Sequence, residues 1–413
     1  MKPLRTGGQW LLPLASIVNA VSAAIPEFAV PGPSGPYGVK HKTFELVDEA
    51  RLDPLNSTHP RRLMVSRFDP VKKDECQKMC TVPYMPPATA VLEDEINVER
   101  GWVGGVFGAA QLQFCCNDDE EEEDNDKNYG YGHGQDMEFP LLIFSPGGNT
   151  SRLQYSGLVR EVSSAGYTVL SVDHPYETDV VEFPDGTIIT GGLLNLTGLD
   201  MEDCALGVEI RSADVSFILD YMKIPKVRPG DSHDGPSRRV GIFGHSFGGA
   251  TAATSLSKDL RLAGGINLDG MQFGPVNEEG FGSSKVPQAF VLWGAVGHNT
   301  TNIEYDPTWE QFWKSMHTPP HDEVWTRELS TNPSVHNSFT DYALLADAAG
   351  VRDQLGDWAK ERMAGPLVGT RSMEIFHGYI RDFFAFVLKG EDEGLLKGPS
   401  EEFPEMEFIP YKG

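Results

Sequence analysis

The sequence predicts an α/β fold, a mostly parallel central sheet with helices on both faces. Three observations predict it. Short apolar runs such as 139–145 (FPLLIFS) and 167–172 (YTVLSV) lack polar alternation, as strands buried on both faces require. These runs alternate with helix-length segments, the order that gives parallel strands joined by crossovers. The stretch 239–251, RVGIFGHSFGGAT, reads as strand, tight turn and helix, a layout that lifts a serine hydroxyl above the end of a sheet.

The first 23 residues stand apart. Lys2 and Arg5 precede an apolar run from Trp10 to Val21, and Val21-Ser22-Ala23 supplies small residues for a signal peptidase. The expected mature chain begins near Ala24 and is secreted; losing Lys2 and Arg5 takes the formal charge from −26 to −28. A Pro/Gly-rich linker is expected over 24–39, then strands over 43–47 and 62–68 within one catalytic domain over 40–390. Regular signals fade from 71 to 138, so this segment reads as an insertion before the third core strand and a candidate wall of the substrate pocket. It ends in the acidic loop 117–128, whose run Asp118 to Asp126 cannot bury itself.

From 139 the core pattern is continuous. A third strand over 139–145 leads to a helix over 153–165, a strand over 167–172 and a long helix over 202–223, with Leu206, Ile210, Ala213 and Phe217 on one face. The strand of Val240, Ile242 and Phe243 enters the serine turn, and a helix follows to about 257. Strands over 263–268, 288–293 and 324–328 are the sixth, seventh and eighth; a helix over 372–388 and a C-terminal tail over 391–413 complete the chain. Along 307–317, Trp309, Phe312, Trp313 and Met316 share one helical face, which suits core packing or, alternatively, contact with lipid.

Composition excludes several functions. A formal charge of −26 is wrong for binding nucleic acid and disfavours strongly anionic lipid. After the N-terminal segment, no apolar run is long enough to span a membrane. Five cysteines suit an oxidising compartment. Cys76, Cys80, Cys115 and Cys116 can form two bridges and leave Cys204 over, with the pairing open. They do not read as zinc ligands, because Cys115 and Cys116 are adjacent and no histidine is interleaved; no metal or cofactor is expected. Sequons at Asn56, Asn149, Asn195 and Asn299 suit secretion, with Asn149 expected to stay unglycosylated beside the site.

The chemistry centres on Ser246. Gly244 and Gly248 flank it because a Cβ at either place would strike neighbouring backbone. A serine hydroxyl barely ionises at neutral pH, so it needs a base, an orienter for that base, and donors for the oxyanion. In a fold with this turn the acid and then the histidine follow the serine, each on a loop after a strand. Asp269 follows the sixth strand directly, whereas the loop after the seventh reads WGAVGHN, with Glu304 and Asp306 the nearest acids, well down it. His336 follows the eighth strand and is the expected base; His298, His317 and His321 precede that strand, His377 sits in a helix, and His245 is turned away by the elbow. Two backbone N–H groups are expected to hold the oxyanion, those of Phe247 and of Gly148 in the loop after the third strand.

GHSFGGAT, the LDG ending in Gly270 and SVHNSFTDY resemble the platelet-activating factor acetylhydrolases of the plasma type, as do FSPGG, DHPYE and RSADVSFILDY. The resemblance runs over about 60–390 and implies an α/β-hydrolase fold and a calcium-independent serine esterase of group VII phospholipase A2 type, with Ser246, Asp269 and His336 as triad. It also implies a phospholipid ester substrate, with possible transient contact to a lipid surface. The family usually carries His at the position of Pro146 and Leu at that of Gly148. The alternatives are a general carboxylesterase or cutinase-like polyester hydrolase, whose acid usually follows the seventh strand, and a non-catalytic binding protein of the same fold.

Overall fold

The computed structural model describes residues 25–116, 138–196, 198–228 and 240–411. The expected signal segment over 1–23 and the acidic loop over 117–128 lie outside the described residues. The centre is a nine-stranded sheet. In chain order its strands are β1 (Gly38–Leu52), β2 (Pro60–Val71), β3 (Leu141–Ser145), β4 (Thr168–Asp173), β5 (Val240–His245), β6 (Leu262–Leu268), β7 (Ala289–Gly294), β8 (Thr326–Thr331) and β9 (Met406–Phe408). Their order across the sheet is β9-β8-β7-β6-β5-β3-β4-β2-β1. Strands β3 to β8 pair in parallel, while β1, β2 and β9 are antiparallel to their neighbours. This is the α/β-hydrolase fold.

Period-two alternation explains why the central strands are apolar throughout. Leu142 and Phe144 of β3 enter one core with Phe243, Ile266 and Trp293, covered by α1 (Ser156–Ser163), α5 (Tyr342–Ala348) and α6 (Gly369–Phe384). Leu141 and Ile143 enter the other with Ile242 and Leu292, covered by α2 (Met201–Tyr221), α3 (Phe247–Lys258) and α4 (Pro307–Met316). Trp309, Phe312, Trp313 and Met316 of α4 are buried in that second core, so this face packs and is not a lipid-contact surface.

Three expectations change. The segment over 391–413 is more than a tail, because Met406–Phe408 closes the β8 edge antiparallel. The linker over 24–39 is partly structured: Phe28–Ala29 pairs with Ala110–Cys115, and β1 already begins at Gly38. Among the described residues, none of the insertion lines the pocket. Cys76–Cys115 and Cys80–Cys116 bridge a small sheet, and the segment docks on α1 and α5 instead. Tyr84 donates to Asp341 at 2.8 Å, Gln154 donates to Glu93 at 2.6 Å, and Trp102 meets the Tyr342 ring edge-on at 5.1 Å. These buried polar and aromatic anchors hold its described residues off the pocket lining. Cys204 is left free and buried.

Strands β3 and β5 are neighbours while β4 lies on the far side of β3, so the chain direction of winding switches between them. Ligands bind at the carboxyl ends of strands around such a point. The loops after β3 and β5 leave the sheet there side by side, with Ser145 in register with Gly244.

Candidate active site

Ser246 occupies the turn between β5 and α3 with φ 55° and ψ −121°, a strained conformation for a non-glycine residue. The turn closes tightly: a Cβ on Gly244 would lie 2.3 Å from the Gly248 carbonyl oxygen, and one on Gly248 would lie 1.9 Å from that of Ser145. Strain of this kind aims the hydroxyl out of the sheet. Ser246 Oγ lies 3.0 Å from His336 Nε2, and His336 Nδ1 lies 2.5 Å from Asp269 Oδ2. The three residues proposed from sequence are therefore brought into one hydrogen-bonded line.

Each partner is positioned by its own local structure. Asp269 has φ 60° and directly follows β6, and Asn267 fastens the turn through two bonds to Gly270, both 2.7 Å. Burial alone would push the Asp269 carboxyl up, but hydrogen bonds from His298 and His336 outweigh it and hold the group well below the ordinary carboxylate range. His336 opens a short 3-10 turn after β8, where Val335 N–H donates to Ser338 Oγ at 2.9 Å. Beneath it His245 is pinned, with Nδ1 2.8 Å from Tyr155 Oη and Nε2 2.9 Å from the His336 carbonyl oxygen. Burial pushes the His245 imidazole down to about 3, so this ring supports the His336 backbone as a neutral group.

The β3 loop faces the same point. Gly147 N–H donates to Tyr155 Oη at 3.1 Å and Asn149 N–H to the Glu177 carbonyl at 3.1 Å. The carbonyl of Gly147 accepts from Arg211 Nη2 at 3.3 Å. In a trans peptide the N–H points opposite the C=O, so the Gly148 N–H of that unit is directed away from Arg211. Gly148 and Phe247 both line the cavity beside Ser246 and sit against each other: a Cβ on Gly148 would lie 3.5 Å from the Phe247 Cβ. Two N–H donors beside a serine–histidine pair can stabilise a tetrahedral oxyanion, and the set as a whole can carry out acyl transfer.

The DHPYE and RSADVSFILDY motifs supply the scaffold of that loop. Arg211, fully buried on α2, donates from Nε to Glu177 at 2.7 Å and from Nη1 to the Pro146 carbonyl at 2.6 Å, and its guanidinium lies 4.7 Å from the Phe247 ring centroid. His174 joins Ser145 Oγ at 3.1 Å to Asp214 at 2.8 Å, and Arg61 closes the cluster at 2.8 Å. The cavity, about 470 Å³, is walled by Leu196, Leu199, Phe247, Met271, Phe273 and Tyr305. Asn149 lines it too.

The rival histidines fall elsewhere. His377 lies 2.9 Å from Glu161 in a buried pair, and His317 is bonded to the Trp313 carbonyl at 2.7 Å. Sequence reasoning missed Arg211 and the environment of His298, which lies behind Asp269 and not at the serine. The only signal for it was WGAVGHN, standing where an acid was sought.

With this geometry in place, comparison with known families matches the chain to "Platelet-activating factor acetylhydrolase, isoform II" over residues 119–182 and 234–352. A protein of Arthroderma benhamiae named "Probable 1-alkyl-2-acetylglycerophosphocholine esterase" is 40% identical over 399 residues, covering 96% of this chain and 97% of that one. The chain belongs to the platelet-activating factor acetylhydrolase family. It is an enzyme, a carboxylic ester hydrolase of that family. The acetylhydrolase of Cavia porcellus is 26% identical, with 63% of each chain covered. Among solved structures, a ferulic acid esterase from Streptomyces cinnamoneus aligns with TM-score 0.69 and 28% identity, covering 93% of this acetylhydrolase-family chain and 99% of its own.

Proposed function

We propose that this chain is a secreted serine esterase that hydrolyses the sn-2 acetyl or short, oxidised acyl ester of phospholipids such as platelet-activating factor. The observation that carries the reading is the line from Ser246 Oγ through His336 to Asp269, opening into an apolar cavity. The names of the Arthroderma benhamiae and Cavia porcellus relatives support the substrate class. The two disulfides support an oxidising compartment. Leu199 and Tyr305, both exposed, line the cavity and give it an apolar rim suited to transient contact with a lipid surface. The net acidity favours a zwitterionic surface over an anionic one.

Each step follows from a named group. His336 Nε2 takes the Ser246 proton as Oγ attacks the ester carbonyl, while Asp269 accepts from Nδ1 and stabilises the imidazolium. The Phe247 and Gly148 N–H groups hold the oxyanion. Collapse breaks the ester C–O bond, His336 returns the proton to the departing alcohol oxygen, and the lyso-phospholipid leaves. Water then attacks the acyl-Ser246 with His336 again as base, releasing the carboxylic acid. With two N–H donors for the oxyanion, we take the reaction to be independent of calcium.

The test is turnover of a 2-acetyl phosphocholine lipid, with and without a chelator, by the wild-type chain and Ser246→Ala. Wild type is expected to turn over equally in both, label with a fluorophosphonate, and lose nearly all activity on substitution. Preference for soluble esters or polyesters over the phospholipid would instead favour the general esterase reading that the ferulic acid esterase neighbour suggests.

A further inference from the structure

Only one oxygen of Asp269 faces His336. The other, Oδ1, accepts the Ala295 N–H at 2.5 Å and lies 2.9 Å from His298 Nδ1. The far nitrogen of the same ring, Nε2, lies 2.9 Å from Asp306 Oδ2. All three side chains are shielded from solvent, with His298 2% exposed and Asp306 fully buried. Trp309 stacks on the imidazole at 3.9 Å between ring centroids, and Tyr305 lies at 5.0 Å.

The far end is held as firmly. Asp306 caps α4, its Oδ1 accepting the Thr308 N–H at 2.8 Å and the Thr308 hydroxyl at 2.6 Å. Trp309 Nε1 donates to the Gly270 carbonyl at 2.6 Å, tying α4 to the residue after Asp269. The loop after β7 and the helix that follows it thus clamp the acid that sits after β6.

We propose that His298, held as an imidazolium between Asp269 and Asp306, is a positioning residue of the hydrolytic site. It fixes the Asp269 carboxylate for His336 and offsets part of the negative charge that His336 faces. The inference rests on the Ser246–His336–Asp269 reading above.

Two arguments support it. A neutral imidazole has one N–H, so one nitrogen lone pair would press against a carboxylate; only the doubly protonated ring satisfies both acids. Burial opposes that charge, but the bonds to Asp269 and Asp306 outweigh it and push the group up to about 9. The other titratable groups around the ring are Tyr305 and Glu328, the latter bonded to Thr300 at 2.6 Å, with His336 and His245 beyond Asp269. Second, two donors on Oδ1 stop the carboxylate from rotating about its side chain, so Oδ2 stays aimed at His336.

The test uses His298→Gln and Asp306→Asn in the full chain, with p-nitrophenyl acetate and active sites counted by fluorophosphonate titration. For His298→Gln, kcat per titrated site is expected to fall roughly tenfold to hundredfold with KM little changed. The acid limb of kcat/KM should move up by on the order of one pH unit, because a neutral glutamine no longer offsets Asp269. Asp306→Asn keeps an acceptor for Thr308 and should move both in the same direction by less. An unmoved acid limb and unchanged kcat per titrated site, with only thermal stability lowered, overturn the proposal. So does a neutral His298 ring in 15N-histidine NMR of the wild-type chain at about pH 7.5, a measurement that needs no folded variant. Failure of the wild-type chain to label at Ser246 overturns the underlying reading and the inference with it; labelling with an unmoved limb overturns the inference alone.

Discussion

Arg211→Lys separates the anchoring of the β3 loop from the chemistry at Ser246. The arginine spans four acceptors at once: the Glu177 carboxylate, the Ser145 hydroxyl, the Pro146 carbonyl and the Gly147 carbonyl, at 2.7, 3.3, 2.6 and 3.3 Å. A lysine ammonium keeps the charge beside buried Glu177 but lacks the planar fork that reaches the loop. The Gly147 carbonyl then loses the donor that orients its peptide, and the Gly148 N–H on the opposite side is no longer aimed. Losing one oxyanion donor costs about 10²–10³ in rate, and kcat of Arg211→Lys is expected to fall by roughly 10² as the loop samples other orientations. Arg211→Met is the contrasting case: it strands a buried carboxylate, which costs about 3–5 kcal/mol of stability. The assay is hydrolysis of p-nitrophenyl acetate per fluorophosphonate-titrated site, with urea unfolding of each variant. A folded Arg211→Lys with kcat within about threefold of wild type would refute the reasoning, because the oxyanion donor would then not depend on the guanidinium.

Other expectations follow from the same structure. Gly248→Ala places a Cβ 1.9 Å from the Ser145 carbonyl oxygen, so it should abolish activity and destabilise the chain by about 3 kcal/mol or more, read by thermal unfolding. Removing both disulfides should lower stability by roughly 6 kcal/mol on chain-entropy grounds, about 4 for the 39-residue separation of Cys76 and Cys115 and about 2 for the short ring the second bridge closes. The pair Cys80→Ser and Cys116→Ser should therefore cost only the smaller share. Thermal stability should decline as pH rises from about 6.5 to about 9. In that window burial holds Glu93 up to about 8, and the two carboxylates hold His298 up to about 9, so the folded state keeps protons that the unfolded chain releases. The contribution of His298 is complete below about 6.5 and lost through about 9; a midpoint that stays level or rises across that range contradicts this sign.

Sequence alone carried the parts of the molecule whose signal is local. The double-sided burial of β3, β4, β5 and β6 shows as uninterrupted apolar runs, since a strand covered on both faces has no polar side to display. The elbow shows because its glycines answer to contacts within a few residues of Ser246. Asp269 and His336 could be nominated because the first directly follows a strand and the second stands on the loop after one, where the fold gathers its loops. Boundaries were less so: β8 lies at Thr326–Thr331, two residues later than the apolar pattern suggests, because Val324 packs before the ladder begins.

What tertiary structure decided is everything that depends on distant segments meeting. Short Met406–Phe408 has little pattern of its own and becomes a strand only because the β8 edge is there to pair with. The insertion could not be placed from sequence, since its anchors on Asp341, Tyr342 and Gln154 are remote in the chain. The apolar face of α4 was ambiguous between core and surface until the second core covered it. Arg211 drew no reading of its own on the long helix, and Asp306 read as an acid too far down its loop; folding buries both against loops of the proposed site. The proposed nucleophile and its proposed partners could be nominated from the chain, whereas the groups that aim them are identified by burial and long-range hydrogen bonds, which no local pattern encodes.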